Sequence, residues 1–189
     1  MLQSTQDMGQ PFVDLLRSHK KPLLEQWFHR ILATYPDDTA KFYGSKKDPF
    51  ANPVGNTLHK EIDTIFDELL LEQSSDLLPS AVDAIVRVRA VQDYTASAAV
   101  SFFLLLKDVV RENVGQEALD NGLYLDLLAF EGRVDQLCLL AFDAYMQCRE
   151  KIWSMKANEV QQRTKNLLRQ ANIVWTVPED TPESGGGHP

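Results

Sequence analysis

No Pro or Gly interrupts residues 133–177, and inside that run the pattern of apolar and polar positions changes character. VDQLCLLAFDAYMQC is strongly apolar, whereas REKIWSMKANEVQQRTKNLLRQA is polar and basic with sparse apolar residues. One helix over 133–171 would be about 58 Å long at ~1.5 Å per residue. A compact domain of this length is only about 40 Å across, from a radius of gyration of roughly 16 Å. The pattern therefore predicts a helix that starts in a core and leaves it as an arm.

The remaining periodicities are helical as well. Leu23, Leu24, Trp27, Phe28, Ile31, Leu32 and Tyr35 recur at steps of three and four, which makes one apolar stripe. Pro22 suits the first turn of that helix, and a shorter helix over 12–17 precedes it. Residues 35–53, with three prolines and Gly44, read as a loop. Asn52-Pro53 then reads as the N-cap and first position of a helix reaching about residue 72, with Leu58, Ile62, Ile65, Phe66 and Leu69 on one face. After a break at QSSD come a helix over 77–92, a turn at Asp93-Tyr94 and Thr95 as the N-cap of a helix over 96–113. That last helix is apolar nearly all round, so it is buried on more than one side. After Gly115 a short helix over 118–130 leads into the long one. No alternating strand pattern occurs, and the expected fold class is all-α. The expected divisions are a helical core over 1–132, the long helix over 133–171, and a flexible acidic tail over 172–189.

Charge refines this picture. The chain carries −8 overall, which argues against a general nucleic-acid binder. The charge is uneven: residues 61–148 carry −11, and residues 149–171 carry +4. The arm's basic face is either simply solvated or meets an acidic partner. Cys138 and Cys148 lie ten residues apart on one expected helix, roughly 15 Å of rise, too far for an internal disulfide. A reduced, cytoplasmic protein fits. The first residues hold no charged segment followed by an apolar stretch, so no signal peptide is expected. No apolar run approaches the ~20 residues that span a bilayer, so no direct membrane insertion is expected.

Four side chains are candidates for chemistry. On the 77–92 helix, Leu78, Ala81, Val82, Ile85 and Val88 form the apolar face; Arg89 and Gln92 fall in the same stripe and Arg87 points away. A charge on a core-facing stripe must be paired. Arg89 is either held by a carboxylate of a neighbouring helix or, with Gln92, lines a pocket or partner site. Lys107 poses the same question beside the Phe103 and Val110 stripe, with a snorkelling side chain as the plain alternative. His59 sits at the edge of the Leu58/Ile62/Phe66 face with Asp63 one turn later. The pair is either a ligand with its orienting carboxylate or a half-buried histidine with a helical neighbour. His19, His29 and His59 are not central to any strongly apolar face, so no haem is expected. No Cys/His cluster marks a metal site, and no cofactor is expected. Motifs for nucleotide-dependent, serine-nucleophile or zinc-protease chemistry are absent, so the expectation is a non-enzyme. In the arm, Trp153, Ala157, Val160, Thr164, Leu167, Ala171 and Val174 alternate steps of four and three. They mark either a coiled-coil seam between two protomers, with Trp153, Val160 and Leu167 as its interface, or a solvent-exposed helix.

Three phrases together resemble a known family. FHRILATYPDDTAKFYGSKKDPFANPVGNTLHKEIDTIFDELL is similar to the first half of the N-terminal domain of RsbR/RsbRD-type regulators. AIVRVRAVQDYTASAAVSFFLLLKDVVRE resembles its second signature, and AFDAYMQCREKIWSMKANEVQQR its closing helix. The match covers residues 12–168. The resemblance implies a globin-like helical bundle without haem, pairing as a homodimer. In that family the domain is the sensory turret of the stressosome, and its last helix continues into a STAS domain. This chain ends about twenty residues after the closing helix, without STAS-type phosphorylated threonines, so the resemblance implies a stand-alone version. Stand-alone versions occur beside genes for membrane electron-transfer complexes, which implies an accessory role there as the alternative. The resemblance favours a structural role for Arg87, Arg89 and Gln92, which lie in the RVRAVQ phrase. The expected function is a regulatory sensor domain. A change at the core around Arg89, Gln92 and Phe103 would pass through the long helix to a protein partner, either a STAS or kinase signalling protein or a membrane redox complex.

Overall fold

A computed structural model describes residues 8–45, 50–73, 75–92 and 94–170. These residues form α1 (Gln10–Ser18), α2 (Lys20–Leu32), α3 (Asp37–Gly44), α4 (Pro53–Leu69), α5 (Leu77–Ala90), α6 (Ala96–Val100), a 3₁₀ turn (Ser101–Phe103), α7 (Leu105–Asp120) and α8 (Tyr124–Gln170). No strand occurs among the described residues, so the fold is all-α with a long C-terminal helix. The chain divides into two compact units, Met1–Arg149 and Glu150–Pro189. The expected tail at 172–189, Ala171 and Val174 of the arm, and Asp93 of the expected turn lie outside the described residues.

The first unit is a helical bundle whose core the sequence pattern anticipates. α4 packs on α5, and α2 packs on α4 and α7. Leu23, Trp27 and Ile31 of α2 and Leu58, Ile62, Ile65 and Phe66 of α4 are buried together. Asn52 caps α4 as expected: its Oδ1 accepts from the Gly55 N–H at 2.9 Å, with Pro53 at the first position. Thr95 caps α6, accepting from the Ala98 N–H at 3.3 Å. The 35–53 stretch is not wholly loop, since α3 occupies Asp37–Gly44.

The helix expected over 96–113 is instead two helices joined by a 3₁₀ turn, and the reason is tertiary. Carbonyls in this stretch are taken by side chains from elsewhere. Arg89 Nη1 donates to Ala98 O at 3.1 Å, and the Trp27 indole N–H donates to Phe102 O at 3.1 Å. The Cys138 thiol faces Val100 O at 3.8 Å. The helical ladder gives way where other donors claim its acceptors. Gly115 does not end α7, which runs on to Asp120. The turn falls at Gly122, whose φ of +73° is the left-handed conformation that suits glycine. The short 118–130 helix is therefore absent, and α8 starts at Tyr124, earlier than residue 133.

Candidate functional site

Arg89 is the centre of the most unusual environment in the first unit. Its side chain lies on the buried face of α5 and is 0% exposed. Burial this complete obliges every donor near protein atoms to find an acceptor. Nε donates to the Tyr35 hydroxyl at 3.2 Å, Nη1 to Ala98 O at 3.1 Å and Nη2 to the Thr34 hydroxyl at 2.6 Å. The guanidinium carbon sits 4.6 Å from the Tyr35 ring centroid, 5.1 Å from Tyr94 and 4.4 Å from Phe102. Among the described residues no carboxylate pairs with Arg89, so the expected ion pair is not formed. Ring faces and neutral oxygens from the turn after α2, the α5–α6 connection, α6 and the 3₁₀ turn take its place.

An open cleft of about 710 Å³ lies over this box, lined by Thr34, Tyr35, Pro36, Thr39, Tyr43, Gln92 and Tyr94. Tyr35 stands edge-on to Tyr43 at 5.2 Å and to Tyr94 at 6.0 Å. Burial pushes the Tyr35 phenol above its usual range, while the neighbouring Arg89 pulls it partly back. Gln92 does not lie on a core-facing stripe as expected. α5 ends at Ala90, so Gln92 falls in the following turn, exposed, and donates to the Tyr43 hydroxyl at 3.1 Å. Arg87 points away as anticipated and pairs with Asp83 at 2.6 Å. Phe103 lies deeper in the core, tilted against Trp27 with ring centroids 6.5 Å apart.

Two of the other candidates take different partners. Lys107 is half-buried, and its ammonium reaches out to both oxygens of exposed Asp135 on α8, at 2.9 and 3.0 Å. His59 is exposed, and its ring meets Phe28 edge-on at 5.4 Å. Asp63 does not orient His59 but pairs with Lys20 at 2.9 Å, because the Lys20 ammonium lies close enough to bind both Asp63 and Asp67. Among the described residues no group of three or more His, Cys, Asp or Glu is placed to hold a metal ion. Cys138 and Cys148 are free thiols, and burial raises the Cys138 thiol above its usual range. No helix of the described residues is long and apolar enough to cross a membrane.

The cleft is tied to α8 by contacts that sequence reasoning did not find. The Tyr145 hydroxyl donates to Tyr94 O, and Arg149 Nη1 donates to Ala90 O at 3.1 Å. Both acceptors flank the α5–α6 connection that carries Gln92. Higher on α8, Arg111 of α7 grips buried Glu131 with two bonds, at 2.5 and 2.6 Å. Backbone acceptors leave no trace in sequence, so only the tertiary structure reveals these links.

A seven-residue repeat also runs along α8. Leu125, Gly132, Leu139 and Met146 recur every seven residues in the first unit, and Leu125, Leu139 and Met146 are exposed. The same step continues in the second unit through Trp153, Val160 and Leu167, exposed by 62%, 63% and 66%. The strict seven-residue period is visible in the sequence, but between residues 125 and 149 it is obscured by the apolar residues of the buried face, Leu127, Phe130, Val134, Leu137, Ala141 and Tyr145.

The chain matches the family model for the RsbT co-antagonist protein RsbRD N-terminal domain over residues 21–160. It belongs to the RsbRD N-terminal domain family. The matched span takes in α2 through α7 and the part of α8 that includes Trp153 and Val160. A protein of Archaeoglobus fulgidus described as an uncharacterized protein is 29% identical over 143 residues, covering 74% of this chain and 83% of that protein. No solved structure matches this RsbRD-type chain significantly.

Proposed function

We propose that this RsbRD N-terminal domain is a non-catalytic, cytoplasmic regulatory module. In this reading a change at the Arg89 cleft passes along α8 to a protein partner. The observation that supports it best is the hold of α8 on the α5–α6 connection, through Tyr145 on Tyr94 O and Arg149 on Ala90 O. A shift of Tyr94 or of the end of α5 must break or drag these bonds, so α8 is mechanically informed of the cleft. Transmission needs two discrete arrangements of that connection, each favoured by a different state of the cleft.

The seven-residue repeat supports a homodimer paired along α8. A helix keeps such a repeat on one seam when it supercoils around a partner. Gly132 and the polar residues beside the seam make it a modest one, suited to a contact that can shift. The basic charge of residues 149–171 suits an acidic partner surface. Sedimentation velocity on the full chain is expected to give a dimer, and a variant with Trp153, Val160 and Leu167 all changed to Glu a monomer with unchanged helicity.

An affinity capture from native cell lysate, read by mass spectrometry, tests the output side. The full chain is expected to recover a STAS-domain or kinase signalling protein, and the triple-Glu variant to lose it. Equal recovery by both removes the arm from the mechanism. Recovery of membrane electron-transfer subunits would replace the sensor reading with the alternative, a constitutive accessory subunit of such a complex.

A further inference from the structure

We propose that the Tyr35–Tyr43–Tyr94 cleft binds an organic monocarboxylate with a flat apolar body, its carboxylate accepting hydrogen bonds from the Tyr35 and Tyr43 hydroxyls over the buried Arg89. The site is the input side of the sensor reading and rests on it for its purpose, although the binding itself does not depend on transmission.

The first argument is charge. Arg89 is fully buried, and none of its three hydrogen-bond partners is anionic. Ring faces offset part of a cation's lost hydration but carry no net charge. A positive potential therefore remains beneath the cleft, in surroundings that screen it poorly. One anionic group above it would complete the pairing that buried charges ordinarily have.

The second argument is a count of hydroxyl hydrogens. Tyr35 Oη accepts from Arg89, and Tyr43 Oη accepts from Gln92. Neither hydroxyl donates to any described protein acceptor. By contrast, the Thr34 hydroxyl donates to Ile31 O at 2.7 Å, and the Tyr94 hydroxyl faces Thr34 O at 3.5 Å. So two tyrosines that line the cleft keep an uncommitted O–H, and Tyr35 does so at 5% exposure. Accepting from a guanidinium polarises a phenol and strengthens it as a donor. Burial also keeps the Tyr35 phenol protonated well above neutral pH. Two donors with no acceptor of their own, carried on cleft-lining rings 5.2 Å apart, match the two oxygens of a carboxylate.

The third argument sets the class. No Lys or Arg lines the cleft, and Asp37 and Asp38 stand in the first turn of α3 beside Pro36. One buried cation supports one negative charge, so a phosphate-like dianion is disfavoured. The tyrosine rings and Pro36 offer apolar walls to a planar body, and the volume is within the range of ligand pockets.

The test is a ¹H–¹⁵N NMR titration of the full chain with benzoate, with its neutral analogue benzamide, and with inorganic phosphate. Benzoate is expected to give saturable shifts centred on the Thr34, Tyr35, Gln92 and Tyr94 amides. Benzamide should bind at least about tenfold more weakly, and phosphate should give no saturable shift. Tyr35→Phe and Tyr43→Phe each keep the ring and remove one donor, and each should weaken benzoate about tenfold. Two variants, one in the turn between α2 and α3 and one on α3, protect the test against one that fails to fold. Absent or non-saturating benzoate shifts, affinity equal to benzamide, or affinity unchanged in both variants overturns the proposal. Saturable binding with no change at the Val160 or Leu167 amides keeps the site and removes transmission. Arm-dependent partner capture without benzoate binding keeps the sensor reading and removes this ligand class.

Discussion

The two parts of α8 are one helix with two different reasons for being helical. Between Tyr124 and Arg149, Leu127, Phe130, Val134, Leu137, Ala141 and Tyr145 are buried. Tertiary packing therefore holds this part, and intrinsic propensity is secondary. Between Glu150 and Gln170 no residue is buried. This part relies on good helix formers, on the Glu159–Arg163 pair at 2.6 Å and on Lys156 lying 5.7 Å from the Trp153 ring. Such local support contributes only tenths of a kcal/mol per pair. The first part is fixed by the fold, and the second keeps its apolar side chains available.

The strongest way to break this contrast is to truncate one side chain in each part. Phe130→Ala is expected to lower stability by about 3–5 kcal/mol, since it opens a cavity beside Phe12. At protein concentrations low enough to keep the chain monomeric, Leu167→Ala should change it by less than about 0.5 kcal/mol. Urea unfolding followed by circular dichroism compares them, and equal losses at that concentration would mean that the second part is packed even in the monomer. Arg89→Ala should cost about 3 kcal/mol, as it strands the acceptors of Thr34, Tyr35 and Ala98 and empties an aromatic box. The same denaturation series measures it.

Ala157→Pro probes the second part directly. Proline costs about 3 kcal/mol inside a helix, so helicity beyond about residue 153 should be lost. The thermal midpoint of the first unit should stay within about 2 °C. On the monomeric chain a larger drop would show that the arm stabilises the bundle without a second copy. Gly132→Ala works in the other direction: a Cβ there meets nothing within 4 Å, so it should stabilise by about 0.5–1 kcal/mol. A loss confined to the dimer would mark Gly132 as the point where the paired α8 helices approach closely.

The smallest effect concerns pH. Burial raises the folded-state Tyr35 pKa, so its contribution is present below the unfolded value near 10. It is lost as pH rises from there through the folded value. Stability of the native chain should therefore fall more steeply above pH 10 than that of Tyr35→Phe, in denaturant midpoints taken across the alkaline range.

Much of the bundle was legible because its causes are local. Asn52-Pro53 and Thr95 start helices where short-range chemistry demands it, and the α2 and α4 stripes are buried as their spacing predicts. The 3₁₀ turn at Ser101–Phe103 was illegible because its cause is the reach of Arg89 and Trp27 across the fold. Gly115 misled because a glycine weakens a helix without ending it when the neighbours are helical and packed. At the cleft, the sequence marked Arg89 as a charge needing a partner but could not supply the partner. Thr34, Tyr35, Tyr43 and Tyr94 look like ordinary helix-end and loop residues until the fold gathers them. Gln92 was placed one turn too far inside because helix ends are the least certain part of a periodic pattern.

The joint between α3 and α4 has a consequence for how this sequence can drift. The Asn52 amide donates to Phe42 O and Tyr43 O at 3.0 Å and to Ser45 O at 3.1 Å while its oxygen caps α4. Aspartate, which is similar in shape, would turn an acceptor toward three carbonyls. A Cβ on Gly55 would meet Tyr43 O at 2.3 Å, so even alanine is barred. The four letters Asn-Pro-Val-Gly at 52–55 thus hold one position that bars its nearest isostere and one that bars any side chain. Core leucines can trade for isoleucine or methionine with modest repacking. In a population of diverged copies, Asn52 and Gly55 should be the slow hands of the clock.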